Sequence, residues 1–122
     1  MTTTVKNRRA QRRYSNLCVD SWVELKVGSS RERLKVLDLS ASGLSFVVES
    51  DDQLPGLETG APLDGLVLQV SDCRIRGDIL VMHMTTRADS GYVCGALFYP
   101  ATDTDLLKFR SLIVGMEAAG TD

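Results

Sequence analysis

Histidine is nearly missing from this sequence: His83 is the only one in 122 residues. The three cysteines, Cys18, Cys73 and Cys94, show no Cys-x-x-Cys spacing, so the ligand clusters that hold zinc are not there. No metal site is expected. The odd number of thiols reads as reduced residues of a cytoplasmic protein rather than a disulfide framework. With one histidine, no Ser/His/Asp or Cys/His arrangement can be assembled. Asp20, Glu24 and Glu49 do not form an acid/base pair, and no phosphate-binding glycine loop is present. Catalysis is therefore not expected. Aromatic residues make up only 6% of the chain, too few for the exposed row on which single-strand nucleic-acid binders stack bases. No apolar run reaches membrane-spanning length, and the N-terminus lacks the basic, apolar, small-residue order of a signal peptide. A net charge of −2 argues against a surface that binds polyanions everywhere.

What remains suits one domain with a single core: 43% apolar and 25% charged residues over a length that needs no disulfide or metal to fold. Residues 1–15 are almost without apolar side chains and are expected to form a flexible basic arm. Residues 16–118 are expected to form the domain. Val19, Val23, Leu25 and Val27 alternate as in a strand. Leu34, Val36 and Leu37 open a second strand, and Leu44, Phe46 and Val48 mark a third. Residues 50–65 hold Pro55, Pro62 and three glycines and read as an irregular connection. Leu66, Leu68 and Val70 give a fourth strand, Arg74 to Met84 a fifth, and Tyr92 to Tyr99 a sixth, with Ala88-Asp-Ser-Gly91 as the hairpin turn between the last two. After Pro100 the period lengthens. Leu106, Leu107, Phe109, Leu112, Ile113 and Met116 fall on one side of a helix over about 103–117, capped by Thr102 or Asp103. Six short antiparallel strands followed by a helix predict a mainly β fold, a six-stranded antiparallel β-barrel with a C-terminal α-helix.

Two stretches carry chemistry. The first is NRRAQRR, in which Arg8, Arg9, Arg12 and Arg13 gather with no acid among residues 1–13. A guanidinium forks onto phosphate or the O6/N7 edge of guanine, and its flat face stacks on a base. Arg8/Arg12 and Arg9/Arg13 are each four apart and share a face if the arm is helical. The plain alternative is a solvated basic tail. The second stretch is DLSASGLSF, Asp38 to Phe46, where the chain leaves one strand through Asp-x-Ser-x-x-Gly and enters another. Asp38 can close an Asx turn on backbone amides, and Gly43 can supply a positive φ, so the turn also has a purely structural reading. His83 falls in a strand expected to be largely buried and is read first as a packed residue, with a place beside a ligand as a stacking residue as the alternative. Trp22 lies on the face opposite Val23 and Leu25; core packing is expected of it, with cover for a barrel end or a partner contact as the alternative.

An Arg-x-x-x-Arg arm, a strand, and Asp-x-Ser-x-x-Gly at the start of another strand together resemble the PilZ family. GYVCGALFY, followed by an acid-capped amphipathic helix, is similar to that family's last strand and closing helix, and the likeness runs over roughly residues 8–115. The resemblance implies a split-barrel fold and binding of the bacterial second messenger cyclic di-GMP. By carry-over, Arg8, Arg9, Arg12 and Arg13 would pair with phosphate and guanine. Asp38 would accept from the guanine N1–H and amine, Ser40 would offer its hydroxyl, and Gly43 would keep the turn open. Cyclic di-GMP is a ligand here, and no cofactor is implied. A downstream protein would read the bound state.

The chain departs from the family pattern at one place. The string Arg12-Arg13-Tyr14-Ser15-Asn16 puts Asn16 where a second motif arginine often stands. In one register Arg12 leads; in the other the pairs Arg8/Arg12 or Arg9/Arg13 satisfy the spacing further upstream. Asn16 also motivates an alternative, a module of the same fold that acts through protein contacts in motility or surface-polymer secretion without the nucleotide. A nonspecific single-strand nucleic-acid binder is a third reading, disfavoured by the few aromatics.

Overall fold

The computed structural model describes residues 13–15, 20–27, 29–49, 53, 57–88 and 90–119. Arg8, Arg9, Arg12, Asn16, Cys18, Val19 and Pro55 lie outside the described residues. Six strands follow in order: β1 (Ser21–Val27), β2 (Ser30–Leu39), β3 (Gly43–Val48), β4 (Pro62–Val70), β5 (Cys73–Thr86) and β6 (Tyr92–Pro100). A helix, α1 (Asp103–Ala119), ends the described chain. The strands close into a barrel in the order β1-β2-β3-β6-β5-β4, and β1 pairs with β4 to complete the ring. All the neighbours are antiparallel. Closure leaves no sheet edge exposed. The helix also starts and stops near its expected limits. β4, however, begins at Pro62, inside the stretch expected to be irregular.

The period-two pattern places one row of side chains inside. Val23, Leu25, Leu34, Val36, Phe46, Leu68 and Ile79 are almost fully buried and form the barrel core. Three register shifts interrupt this alternation: one between Leu63 and Leu66 in the β4–β5 ladder, and two bulges. One bulge lies between Val36 and Asp38 in the β2–β3 ladder, the other between Val81 and His83 in the β5–β6 ladder. Each adds a residue to one strand and turns the following side chains to the other face. After the first bulge Leu39 is the core residue and Asp38 is not. Past the second, Met82 and His83 are both exposed while Met84 packs on the core. His83 is thus a surface residue, contrary to the sequence expectation, because strict alternation does not survive the bulge. Trp22 is likewise not in the core. It lies half-buried on the outer face, with the Arg33 guanidinium 4.6 Å from its ring centroid. Arg33 and Arg31 flank Glu24 there at 3.5 and 3.6 Å.

The helix docks through Phe109, Ile113 and Met116, all buried. Phe109 meets Phe98 of β6 at 5.0 Å between centroids and 52° between ring planes, a tilted aromatic pair. Thr102 is the N-cap: its hydroxyl accepts from the Asp105 amide at 3.1 Å and donates to the Asp105 carboxylate at 2.7 Å. The other carboxylate oxygen of Asp105 accepts from the Arg76 amide of β5 at 3.0 Å, so one buried acid ties the helix start to the barrel. These bonds, the Arg76 amide first and the Thr102 hydroxyl second, hold its carboxyl below the ordinary 3.8. Leu107 was expected on the docking side of α1; it is 63% exposed and points away from the barrel. No helix among the described residues is long and apolar enough to cross a membrane.

Candidate functional site

The site begins at Tyr14. Its amide donates to the Leu39 carbonyl at 2.7 Å, and the Leu39 amide donates back at 2.8 Å, a one-residue bridge to the end of β2. The ring is buried and its hydroxyl donates to the Glu117 carboxylate of α1 at 3.2 Å. This anchor fixes where the arm meets the barrel. The preceding residue, Arg13, therefore stands over the β2–β3 turn, with Nη1 3.0 Å from Oδ1 of Asp38.

The turn is closed by backbone rather than by an Asx bond. The Ser40 amide donates to the Gly43 carbonyl at 2.9 Å, the Gly43 amide donates to the Ser40 carbonyl at 3.4 Å, and the Asp38 carboxylate turns to Arg13. The Phe98 amide donates to the Ser42 carbonyl at 2.9 Å and joins the turn to β6. Gly43 is not among the glycines with positive φ. Its need for no side chain is a matter of space: a Cβ there would overlap the Ala96 carbonyl oxygen.

A cavity of about 480 Å³ opens beside this corner, within the size range of small-molecule sites. Arg13, Ser40, Ser42 and Gly43 line it from the arm and the β2–β3 turn, and Met82, His83, Gly95 and Leu97 from β5 and β6. Beneath it runs a register row across four strands: Asp38 opposite Ser45, Ser45 opposite Gly95, Gly95 opposite His83. The His83 ring lies against Gly95, where a Cβ would strike its Cε1–Nε2 edge. The two bulges bound this row and aim its end members, Asp38 and His83, outward. Ser45 is buried, and its hydroxyl finds no hydrogen-bond partner among the described residues. The arrangement offers a guanidinium, a carboxylate and the Ser40 and Ser42 hydroxyls. An imidazole against a glycine and the apolar side chains of Met82 and Leu97 join them. That combination suits a flat, polar-edged, anionic molecule.

The structure thus brings Arg13, Asp38, Ser40 and Gly43 together, while Arg8, Arg9 and Arg12 lie outside the described residues. Sequence reading missed Ser42, Ser45, Met82, Gly95 and Leu97. Gly95 had a usable signal, a glycine inside a strand pattern, which marks close approach by another group. The others had none, because the bulges displace the period. Cys94, in the core behind this row, is a free thiol pushed up to about 11 by burial, and it is inert as a nucleophile at neutral pH.

Comparison of the fold with solved structures gives consistent neighbours. The PilZ domain of YcgR from Escherichia coli, solved with c-di-GMP, is similar at a TM-score of 0.72 and 16% identity, over 92% of this chain and 93% of that one. The MrkH–c-di-GMP complex of K. pneumonia is similar at a TM-score of 0.74 and 18% identity, over 94% of this chain and 55% of that one. The inhibitor of motility MotI/DgrA of Bacillus subtilis is similar at a TM-score of 0.71 and 14% identity, over 94% of this chain and 54% of that one. The chain spans about half the length of the MrkH and MotI chains it matches. No family model matches the sequence, and no curated protein matches it. A closed six-stranded antiparallel barrel with one C-terminal helix, superimposing over more than nine-tenths of its length on these structures, has the fold of a PilZ domain.

Proposed function

We propose that this chain is a cyclic di-GMP-binding module of PilZ type, a receptor without catalytic activity whose bound form is read by a partner protein. The observation that carries the reading is the contact of Asp38 with Arg13, which lines a cavity together with Ser40 and Gly43. YcgR and MrkH, which share the fold, are described in complex with c-di-GMP. The inhibitor of motility MotI/DgrA shares it too.

The physical account is an exchange of partners. Arg13 is half exposed and Asp38 about a quarter exposed, so their ion pair contributes at most about 1 kcal/mol. A phosphate takes the guanidinium through charge-assisted bonds that are stronger than this exposed pair. Asp38 is then released to accept from the N1–H and exocyclic amine of a guanine. Ser40 and Ser42 supply hydroxyls, and the His83 ring and Met82 give the base a surface to lie on. Arg9 is four residues before Arg13, so the chain between them spans at most about 14 Å. Arg8, Arg9 and Arg12 are therefore all within reach of the same molecule, and either arginine register can work. Ordering the arm offsets part of the affinity.

The self-satisfied Arg13–Asp38 pair, together with Asn16, also favours a second reading, a protein-interaction module that leaves the nucleotide unbound. Equilibrium dialysis with labelled cyclic di-GMP separates the two. The receptor reading expects Asp38→Ala, Arg12→Ala and Arg13→Ala each to weaken binding by about tenfold or more. Greater loss for Arg9→Ala and Arg13→Ala than for Arg12→Ala identifies the upstream register. No retention by the unmodified chain, or retention indifferent to Asp38→Ala, contradicts the receptor reading.

A further inference from the structure

We infer that the outward face of α1 is a self-association surface, on which two copies of this chain pair their helices antiparallel. The inference stands apart from nucleotide binding and rests on the helix having two apolar faces. One face, Phe109, Ile113 and Met116, is spent on the barrel. Diametrically opposite, Leu107, Ser111, Val114 and Ala118 follow one another at spacings of four, three and four, the interval of a coiled-coil seam. Leu107 is 63% and Val114 61% exposed, two of the four large apolar side chains most open to solvent among the described residues. A helix apolar on opposite sides is one that expects a neighbour on each.

The seam has the features of a helix-packing surface. Gly115 has open space where its side chain would be, and Ser111 is small, so a second backbone can come close. Grooves run along both flanks. One is lined by Cys73, Leu107, Ser111 and Leu112, the other by Ala41, Arg110 and Val114. Knobs from a facing helix fit such grooves.

Charge selects the occupant and its direction. Arg110 and Glu117 flank the seam on the same side, one turn either side of its centre. When a copy of α1 is laid antiparallel about that centre, Leu107 faces Ala118, Ser111 faces Val114, and Arg110 faces Glu117 of the second copy. The two-fold axis repeats the pair, giving two cross-helix ion pairs. A parallel arrangement sets Arg110 against Gly115 and makes neither. Glu117 already accepts from Tyr14, but a carboxylate has acceptor sites for both donors. Three turns of seam, roughly 17 Å long, bury less than the area of a standard interface, so the dimer is weak and concentration-dependent.

Sedimentation equilibrium of the full chain, from about 10 µM to about 1 mM, tests this. The average mass is expected to climb toward twice that of the monomer. Val114→Asp and Leu107→Asp, both exposed in the monomer, are expected to hold the mass at one chain with the circular dichroism spectrum unchanged. Arg110→Glu alone weakens association by about tenfold, and Arg110→Glu with Glu117→Arg restores it. A monomer at every concentration overturns the inference. So does a dimer indifferent to Val114→Asp, or a double variant no tighter than Arg110→Glu.

Discussion

Two glycines on β3 and β6 are in close contact with other groups, and the groups differ in kind. At Gly43 a Cβ would meet the backbone carbonyl of Ala96, which cannot move without breaking the β3–β6 ladder. At Gly95 it would meet the far edge of the His83 ring, which can rotate away. Gly43→Ala is therefore expected to destabilise the fold by about 2 kcal/mol or more. Gly95→Ala should leave the melting temperature within a few degrees while displacing His83 and weakening nucleotide binding. Thermal unfolding beside a binding titration distinguishes the two outcomes. Ser45 provides an independent check of the same row. Its hydroxyl is buried and has no partner among the described residues, so Ser45→Ala should be neutral or stabilise by up to about 1 kcal/mol in denaturant unfolding.

At the scale of elements, the helix and the arm are each held by a few polar contacts set beside an apolar core. Asp105 joins Thr102 to Arg76 at the start of α1. Its carboxyl is depressed in the folded chain, so the stability it contributes is complete above the unfolded value near 3.8 and is lost as pH falls through the lower folded value. Asp105→Asn should consequently cost clearly more at pH 7 than at about pH 3, read from urea midpoints at the two pH values. Phe109, one turn further along α1, packs on Phe98, and Phe109→Ala should cost about 3–5 kcal/mol. The pattern of elements was legible because each strand core keeps its period: Val23 and Leu25, Leu44 and Phe46, Leu66 and Leu68 all point inward. It failed at Trp22, which lies on the outer face rather than in the core, and at two further places, for two reasons. A bulge adds one residue without any mark in composition, so Asp38 keeps its expected outward role while His83 reverses from buried to exposed. And periodicity sums apolar residues over a helix without asking which face each occupies, so Leu107 was grouped with the docking side it does not share. The candidate site was half legible for a related reason. Asp38, Ser40 and Gly43 sit in one turn and are contiguous in sequence. Met82, His83, Gly95 and Leu97 reach the same cavity only through the β5–β6 pairing.

For the molecule as a whole, the barrel is a closed frame on which Arg13 meets the carboxylate of Asp38. Tyr14 connects that corner to the helix, since its backbone holds Leu39 and its hydroxyl reaches Glu117. A molecule that draws Arg13 off Asp38 would act one residue from this contact between the turn and α1. Because the arm's contacts to the ligand would be largely ionic, affinity should fall with added salt, with a slope set by the number of phosphate contacts. The central claim is that this corner recognises a doubly charged guanine dinucleotide. Titration calorimetry of the chain with cyclic di-GMP at modest salt, with GTP and cyclic GMP as controls, tests it most directly. Saturable heat with cyclic di-GMP, and much weaker heat with the two controls, is the predicted result; no heat at high micromolar ligand, or equal response to all three nucleotides, contradicts it.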